Sequence, residues 1–353
     1  YQVLEDLAPP ALWDLFILGR LWLAGMGTFL FLRALGAGLG PALGGGAFYM
    51  FSGALVWFVN LEQMTNGAML IPFLLLALEG LARRGRGTDV ALAALLLGMV
   101  LLAGQPETAL YVLLLGFCYF AFRALYPWPG LWPSALHALR LGGSFALGFG
   151  LALPLVLPFL ELAGRSFTIH PPGGDIGTLG PTPLPIAISL ALPTFHQVPS
   201  FERALPIPGV WDFVGSYPGL AVLVLALVGA LGPPFPRRGV ALFFLLFALL
   251  VALKNFGVPP VKWIGVLPLF DQVWSDRWAA PTWAFSIAMA GALGLEALAH
   301  PSPPGALASA KGPRWGQIAL AGGGDWGRLS PLPLAGAPPG GPAAPGAPPH
   351  CSA

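Results

Sequence analysis

Apolar residues run along this chain in long unbroken stretches, without the period of two that marks a half-buried strand. Nine such stretches fall at about 11–32, 41–60, 66–82, 89–103, 108–123, 141–160, 217–232, 239–254 and 281–299. The longest reach the roughly 20 residues that a helix needs to cross about 30 Å of hydrocarbon. The shorter ones suit helices with little tilt, or half-buried ones. The pattern predicts an all-α polytopic membrane region over 1–300, with about nine transmembrane helices. From 301 to 353 the period vanishes, and 12 Pro and 11 Gly fall among 53 residues. Such a stretch buries too little surface to offset its chain entropy. Its composition fits either a disordered tail or a frameshifted reading of GC-rich sequence.

Composition narrows the class further. Charged residues make up only 9% of the 353, against roughly 25% in an ordinary soluble domain. Hydrophobic residues reach 56%, and the mean hydropathy is +0.76. A water-soluble surface cannot be covered with so few charges, and disorder of the whole chain needs the opposite balance. A net charge of +2 with no basic stripe argues against nucleic-acid binding. Cys118 and Cys351 have neither disulfide nor metal spacing. The first residue is Tyr1, with no signal peptide before the first apolar stretch, so the chain is expected to begin inside a longer protein.

Charge in the connections sets the orientation. Taken alternately, the links hold Arg33, then Arg83, Arg84 and Arg86, then Arg123 and Arg140, then Arg237 and Arg238. The links between them at Asn60–Thr65 and Gly104–Glu107 carry no Lys or Arg. By the positive-inside rule the basic links face the cytoplasm, the first residues face the exoplasm, and the tail is cytoplasmic. The exoplasmic side then holds most of the acids and a long loop over 162–216, with His170 and His196. Within that loop the apolar stretch Ile186–Leu192 suits a short re-entrant or surface helix. A second exoplasmic loop, Asn255–Ala280, carries Lys262, Asp271, Asp276 and Arg277.

Four stretches carry a family likeness. They are LAGMGTFLFLRALG at Leu23–Gly36 with AFYMFSGALV at Ala47–Val56; IPFLLLALE at Ile71–Glu79 with LAGQPETALY at Leu102–Tyr111; LPLVLPFLELAGRS at Leu153–Ser166; and the segment Val266–Leu298, VLPLFDQVWSDRWAAPTWAFSIAMAGALGLEAL. In their order and spacing they resemble the bacterial YfhO-like membrane proteins, of the GT-C class of polyprenyl-phosphate-sugar glycosyltransferases. The resemblance implies a GT-C-like bundle with long exoplasmic loops in the bacterial cytoplasmic membrane. It implies a polyprenyl-phosphate-linked sugar as donor, a cell-envelope glycopolymer as acceptor, and transfer on the exoplasmic face. In that class the general base usually lies in the first exoplasmic loop, and the likeness here begins two helices later. The resemblance thus implies that the base lies before Tyr1 and that this stretch is inactive alone. A polytopic transporter or lipid flippase, and a non-catalytic assembly component, are the readings of other class. No internal repeat or pair of broken helices speaks for a transporter.

Transfer needs a carboxylate to take the acceptor proton, and a cation or metal to stabilise the departing phosphate. No cofactor is identifiable from the sequence, and a divalent metal is compatible with that chemistry. Arg277 has a donor fork suited to phosphate, and stands between Trp274 and Trp278 near Asp271 and Asp276. The competing reading is a loop anchored at the interface by tryptophans. Gln105 and Glu107 sit in a tight link, where Glu107 is either a site acid or a helix cap. Glu62 is either a site acid or a hydrated one. Arg20 is read as the ionised side chain well inside a stretch, paired structurally with another helix; Asp14 lies on another face. Glu161 and Arg165, four apart, are expected to pair locally. Gly44–Gly46 suit close helix packing.

Overall fold

The computed structural model describes residues 10–126, 129–165, 184–193, 195, 216–232 and 234–299. Among them secondary structure is entirely helical. The helices are α1 (Pro10–Ala34), α2 (Leu39–Met50), α3 (Glu62–Arg83), α4 (Gly87–Leu101), α5 (Pro106–Leu125), α6 (Leu131–Arg165), α7 (Leu220–Leu231), α8 (Arg238–Asn255) and α9 (Ala280–Ala299). Single helical turns lie at Gly53–Val56 and Ser275–Trp278, and 3-10 segments at Leu184–Leu190, Val261–Val266 and Phe270–Gln272. Each predicted stretch holds a helix. Six helices are long and apolar enough to span a membrane: α1, α3, α5, α6, α8 and the segment Ser275–Ala299 ending in α9.

The helices in the other three stretches are shorter. The stretch 41–60 is broken after Met50, where Ser52 adopts an extended backbone and a separate single turn begins. Helices α4 and α7 have only 15 and 12 residues, about 22 and 18 Å at the usual rise, short of the hydrocarbon thickness. At the other extreme α6 has 35 residues, about 52 Å. It touches its neighbour α4 through small residues. Gly148 lies against the backbone of Ala94 and Gly98, and Ser144 bonds the Val90 carbonyl at 3.3 Å. Its remaining faces expose leucines and aromatics, a surface suited to lipid.

Helix α9 forms the centre, buried over nearly its whole length. Its alanines and glycines let neighbours approach to backbone contact, as membrane helices commonly do. A Cβ on Gly294 would strike the carbonyl of Leu225 in α7, and one on Gly45 in α2 would meet Ala292 at 2.8 Å. Between α1, α2, α5, α8 and α9 sits an aromatic cluster. Phe31 meets Tyr119 edge-on at 5.4 Å, Tyr49 meets Phe285 at 5.0 Å, and Phe244 stacks on Tyr119 at 5.8 Å. Such pairs add specificity to the buried area they contribute. The Tyr49 hydroxyl donates to the Ala68 carbonyl at 2.8 Å, so its polar atom is satisfied inside.

Candidate functional site

The connections collect at two ends of this bundle. At one end the basic links meet. Arg237 donates to the carbonyls of Leu35 and Gly36 and pairs with Glu296 at 2.5 Å, tying the links before α2 and α8 to the end of α9. Glu79 takes Arg83 at 2.5 Å, Arg123 through two bonds of 2.8 and 2.9 Å, and the Tyr119 hydroxyl at 2.8 Å. Arg84 pairs with Asp89 at 2.5 Å. Burial, the largest influence on Asp89, would raise its carboxyl. The bonds from Arg84 and from the Arg86 backbone outweigh it and hold the group below the usual carboxylate value. Arg20 is therefore not alone inside the spans: Glu79 and Glu296 are buried there too.

At the opposite end three connections converge. The Glu107 carboxylate at the start of α5 accepts the backbone N–H of Trp274 at 3.0 Å, fastening the tight link before α5 to the loop before α9. Glu107 stands in the first turn of α5, where its charge faces the positive helix end, and it adds a bond across the molecule. Gln105 occupies the N-cap position of α5 and makes no capping bond with its side chain. Where α8 ends, Lys254 donates to the Ser275 hydroxyl, which in turn bonds the Asn255 Oδ1 at 2.7 Å. Lys254 is only 9% exposed. Tyr111 of α5 lies within electrostatic reach of Ser275, Asp276 and Glu107.

Beside this group is a small cleft, with room for about one water molecule. Asn255, Phe256, Asp276 and Trp283 form much of its wall, together with Ser216 and Leu190. The Trp283 indole donates to the Ser216 carbonyl at 2.9 Å and so closes one side. Arg277 turns its guanidinium over two indoles, 5.0 Å from the Trp274 ring and 5.7 Å from that of Trp278. The expected cluster of Trp274, Asp276, Arg277 and Trp278 is thus one helical turn with its neighbours, joined by Glu107. Asp271 is buried in the preceding 3-10 turn.

The other expected residues lie apart from it. Glu62 begins α3, and its backbone carbonyl accepts Arg20 at 3.3 Å. Arg20 also reaches the Val59 carbonyl at 3.4 Å and packs over Phe16 at 4.7 Å, so it joins α1 to the link before α3. Glu161 and Arg165 pair at 2.9 Å on the surface. The stretch expected as a re-entrant or surface helix, Ile186–Leu192, overlaps the 3-10 segment Leu184–Leu190. His170, His196, most of the 162–216 loop and the tail after 300 lie outside the described residues. Among the described residues no three His, Cys, Asp or Glu side chains gather as a metal site.

Sequence reasoning missed Lys254, Ser275 and Asn255. A signal was present, since Lys254 closes an apolar stretch and is one of only three lysines in the chain. Its partner stands 21 residues away, and no local spacing links them. The chain matches no family model, no curated protein and no solved structure.

Proposed function

We propose that this chain belongs to a membrane glycosyltransferase that moves a sugar from a polyprenyl-phosphate donor to a cell-envelope acceptor, on the outer face of a bacterial cytoplasmic membrane. The observation that carries the reading is the gathering of Glu107, Lys254, Asp276 and Arg277 at the end of the bundle opposite the basic links. By the positive-inside rule that end faces outward. A prenyl tail can remain in lipid there while the sugar remains in water. Arg277 offers a planar donor fork to the donor phosphate, and the indoles of Trp274 and Trp278 fix its direction. Those same rings fit the interface, where tryptophans are favoured. The acceptor hydroxyl needs a carboxylate within hydrogen-bond reach, and of the acids at this end Asp276 is the one in the cleft wall.

Two measurements test this. In membranes containing the whole protein, Arg277→Ala should cut the incorporation of sugar from polyprenyl-phosphate-linked hexoses by about 100-fold or more, with insertion unchanged. Unaltered incorporation removes Arg277 from the site. Reporter fusions after Arg86 and after Gln105 should read opposite compartments, cytoplasmic for the first. A cytoplasmic reading for both ends the outward-facing assignment.

A further inference from the structure

The basic end of the bundle holds more arginine than its acids take up. Glu79 pairs with Arg83 and Arg123, and Asp89 with Arg84. Arg86 and Arg140 stand beside these pairs, the first exposed and the second half-buried. Among the described residues no carboxylate lies within 4 Å of either guanidinium. Arg86 acts on Asp89 only from beyond that distance. The turn between α3 and α4 brings the two arginines together. Gly85, next to Arg86, has φ +58°, and a Cβ on it would strike the Arg140 guanidinium. Side chains on a helix lean toward its N-terminus, so Arg140 reaches from α6 back to this surface turn.

From Arg140 the same face of α6 continues into the span as leucine. Leu147 and Leu151 follow it by seven and eleven residues, about two and three turns, and are 58% and 56% exposed. All three flank the line where α6 meets α4. Along that line Ser144 and Gly148 touch Val90, Ala94 and Gly98, and the Leu151 Cβ lies 3.4 Å from the place of a Cβ on Gly98. Guanidinium and leucines therefore border one seam. Trp132, exposed near the start of α6, fits the membrane surface at this end.

We propose that the inner end of the α4–α6 seam binds an anionic glycerophospholipid of the inner leaflet, its headgroup phosphate on Arg86 and Arg140 and an acyl chain along Leu147 and Leu151. Charge complementarity selects this occupant: two guanidiniums without a carboxylate favour an anion, and a cytoplasmic leaflet supplies anionic heads. The leucines on Arg140's own face favour a chain beneath that head, which a soluble phosphate would leave uncovered. The Gly85 backbone supports the Arg140 guanidinium, and Asp89 keeps Arg84 out of the exchange. The site stands at the end of the bundle away from the Trp274–Trp278 turn. It goes beyond the sugar-transfer reading and does not rest on it.

The test uses the full chain in detergent micelles, stripped of lipid, with dioleoyl phosphatidylglycerol, dioleoyl phosphatidylcholine and inorganic phosphate as probes. Wild type should bind the glycerol lipid at least about ten-fold more tightly than the choline lipid, and inorganic phosphate at matched concentration should not displace it. Replacing both arginines, Arg86→Gln with Arg140→Gln, should cut that preference to under about three-fold. Gly85→Ala, which pushes the Arg140 guanidinium aside, should lower it as well. Arg33→Gln, at another basic link where Arg33 bonds the Ala37 carbonyl, should leave it unchanged. Equal affinity for the two lipids in wild type overturns the site, whether or not any variant folds. An unchanged preference in the folded double variant also overturns it, as does an equal loss in Arg33→Gln. Displacement by inorganic phosphate overturns its lipid character.

Discussion

The two ends of the bundle meet buried charge in opposite ways. At the basic end the buried acids Glu79, Asp89 and Glu296 each bond to arginine, and Glu79 bonds to two arginines and a tyrosine. At the other end the buried Lys254 bonds to a hydroxyl, while the half-buried Glu107 accepts a backbone N–H and the half-buried Arg277 packs over two indole rings. An ion pair with its hydrogen bonds filled is a fastening: it resists any change that strands one partner. A buried cation held by a neutral hydroxyl is less committed, because a stronger acceptor can replace that hydroxyl. The contrast is between buried acids fastened by arginines and a buried lysine held by a hydroxyl.

The largest effect should come from breaking the fastening. Glu79→Ala strands Arg123 and the Tyr119 hydroxyl in the interior, and should lower stability by about 3 kcal/mol in micelle unfolding. A loss under about 1 kcal/mol would show that these arginines escape to water, and the contrast between the ends would fail. Next comes Arg237→Met, which leaves the Leu35 and Gly36 carbonyls and the Glu296 carboxylate without this donor. About 2 kcal/mol should be lost, read by the same method. Lys254→Met sharpens the comparison from the other side. It replaces a buried ion with an apolar group of similar length and leaves Ser275 bonded to Asn255. Stability should stay within about 1 kcal/mol of wild type, in either direction.

What the residue pattern made legible follows from the range of each interaction. Helix positions were readable because continuous hydrophobicity is local, and every predicted stretch holds a helix. Crossing length was less readable. The break after Met50 lies inside a run that stays apolar on both sides, and the ends of α7 fall at Gly219 and Gly232 within a longer apolar run. The Glu161–Arg165 pair was readable since four residues make one turn. Glu79 with Arg123, Arg237 with Glu296 and Lys254 with Ser275 were not: their partners lie 44, 59 and 21 residues apart and meet only once the bundle has formed. Composition did point to the Trp274–Trp278 turn. Yet Glu107, four helices earlier in the chain than the Asp276 that lines the cleft, was placed beside it only by the fold.

A smaller effect concerns acid. The carboxyl of Asp89 is held below its ordinary value, so the folded state binds that proton less readily than the unfolded chain does. Its contribution is therefore present above the ordinary carboxylate pKa and lost as pH falls through the lower folded value. Arg84 is half exposed, which limits the loss to under about 1 kcal/mol. Unfolding midpoints followed downward from pH 5 should fall for wild type and fall less for Asp89→Asn. Equal slopes for the two proteins would remove Asp89 from the fastened end.

The smallest effect belongs to the one ion pair that sequence spacing found alone. Glu161 and Arg165 meet at 2.9 Å, but their side chains are 63% and 79% exposed, at the C-terminal end of α6. Water and salt screen such a pair, and ordering two long side chains offsets most of the attraction. Glu161→Ala should change stability by less than about 0.5 kcal/mol, and 0.5 M salt should leave even that difference undetectable. If instead the loss approached that of Glu79→Ala, burial would not be what distinguishes a fastening from a surface contact. The comparison between the two ends would then rest on charge number alone.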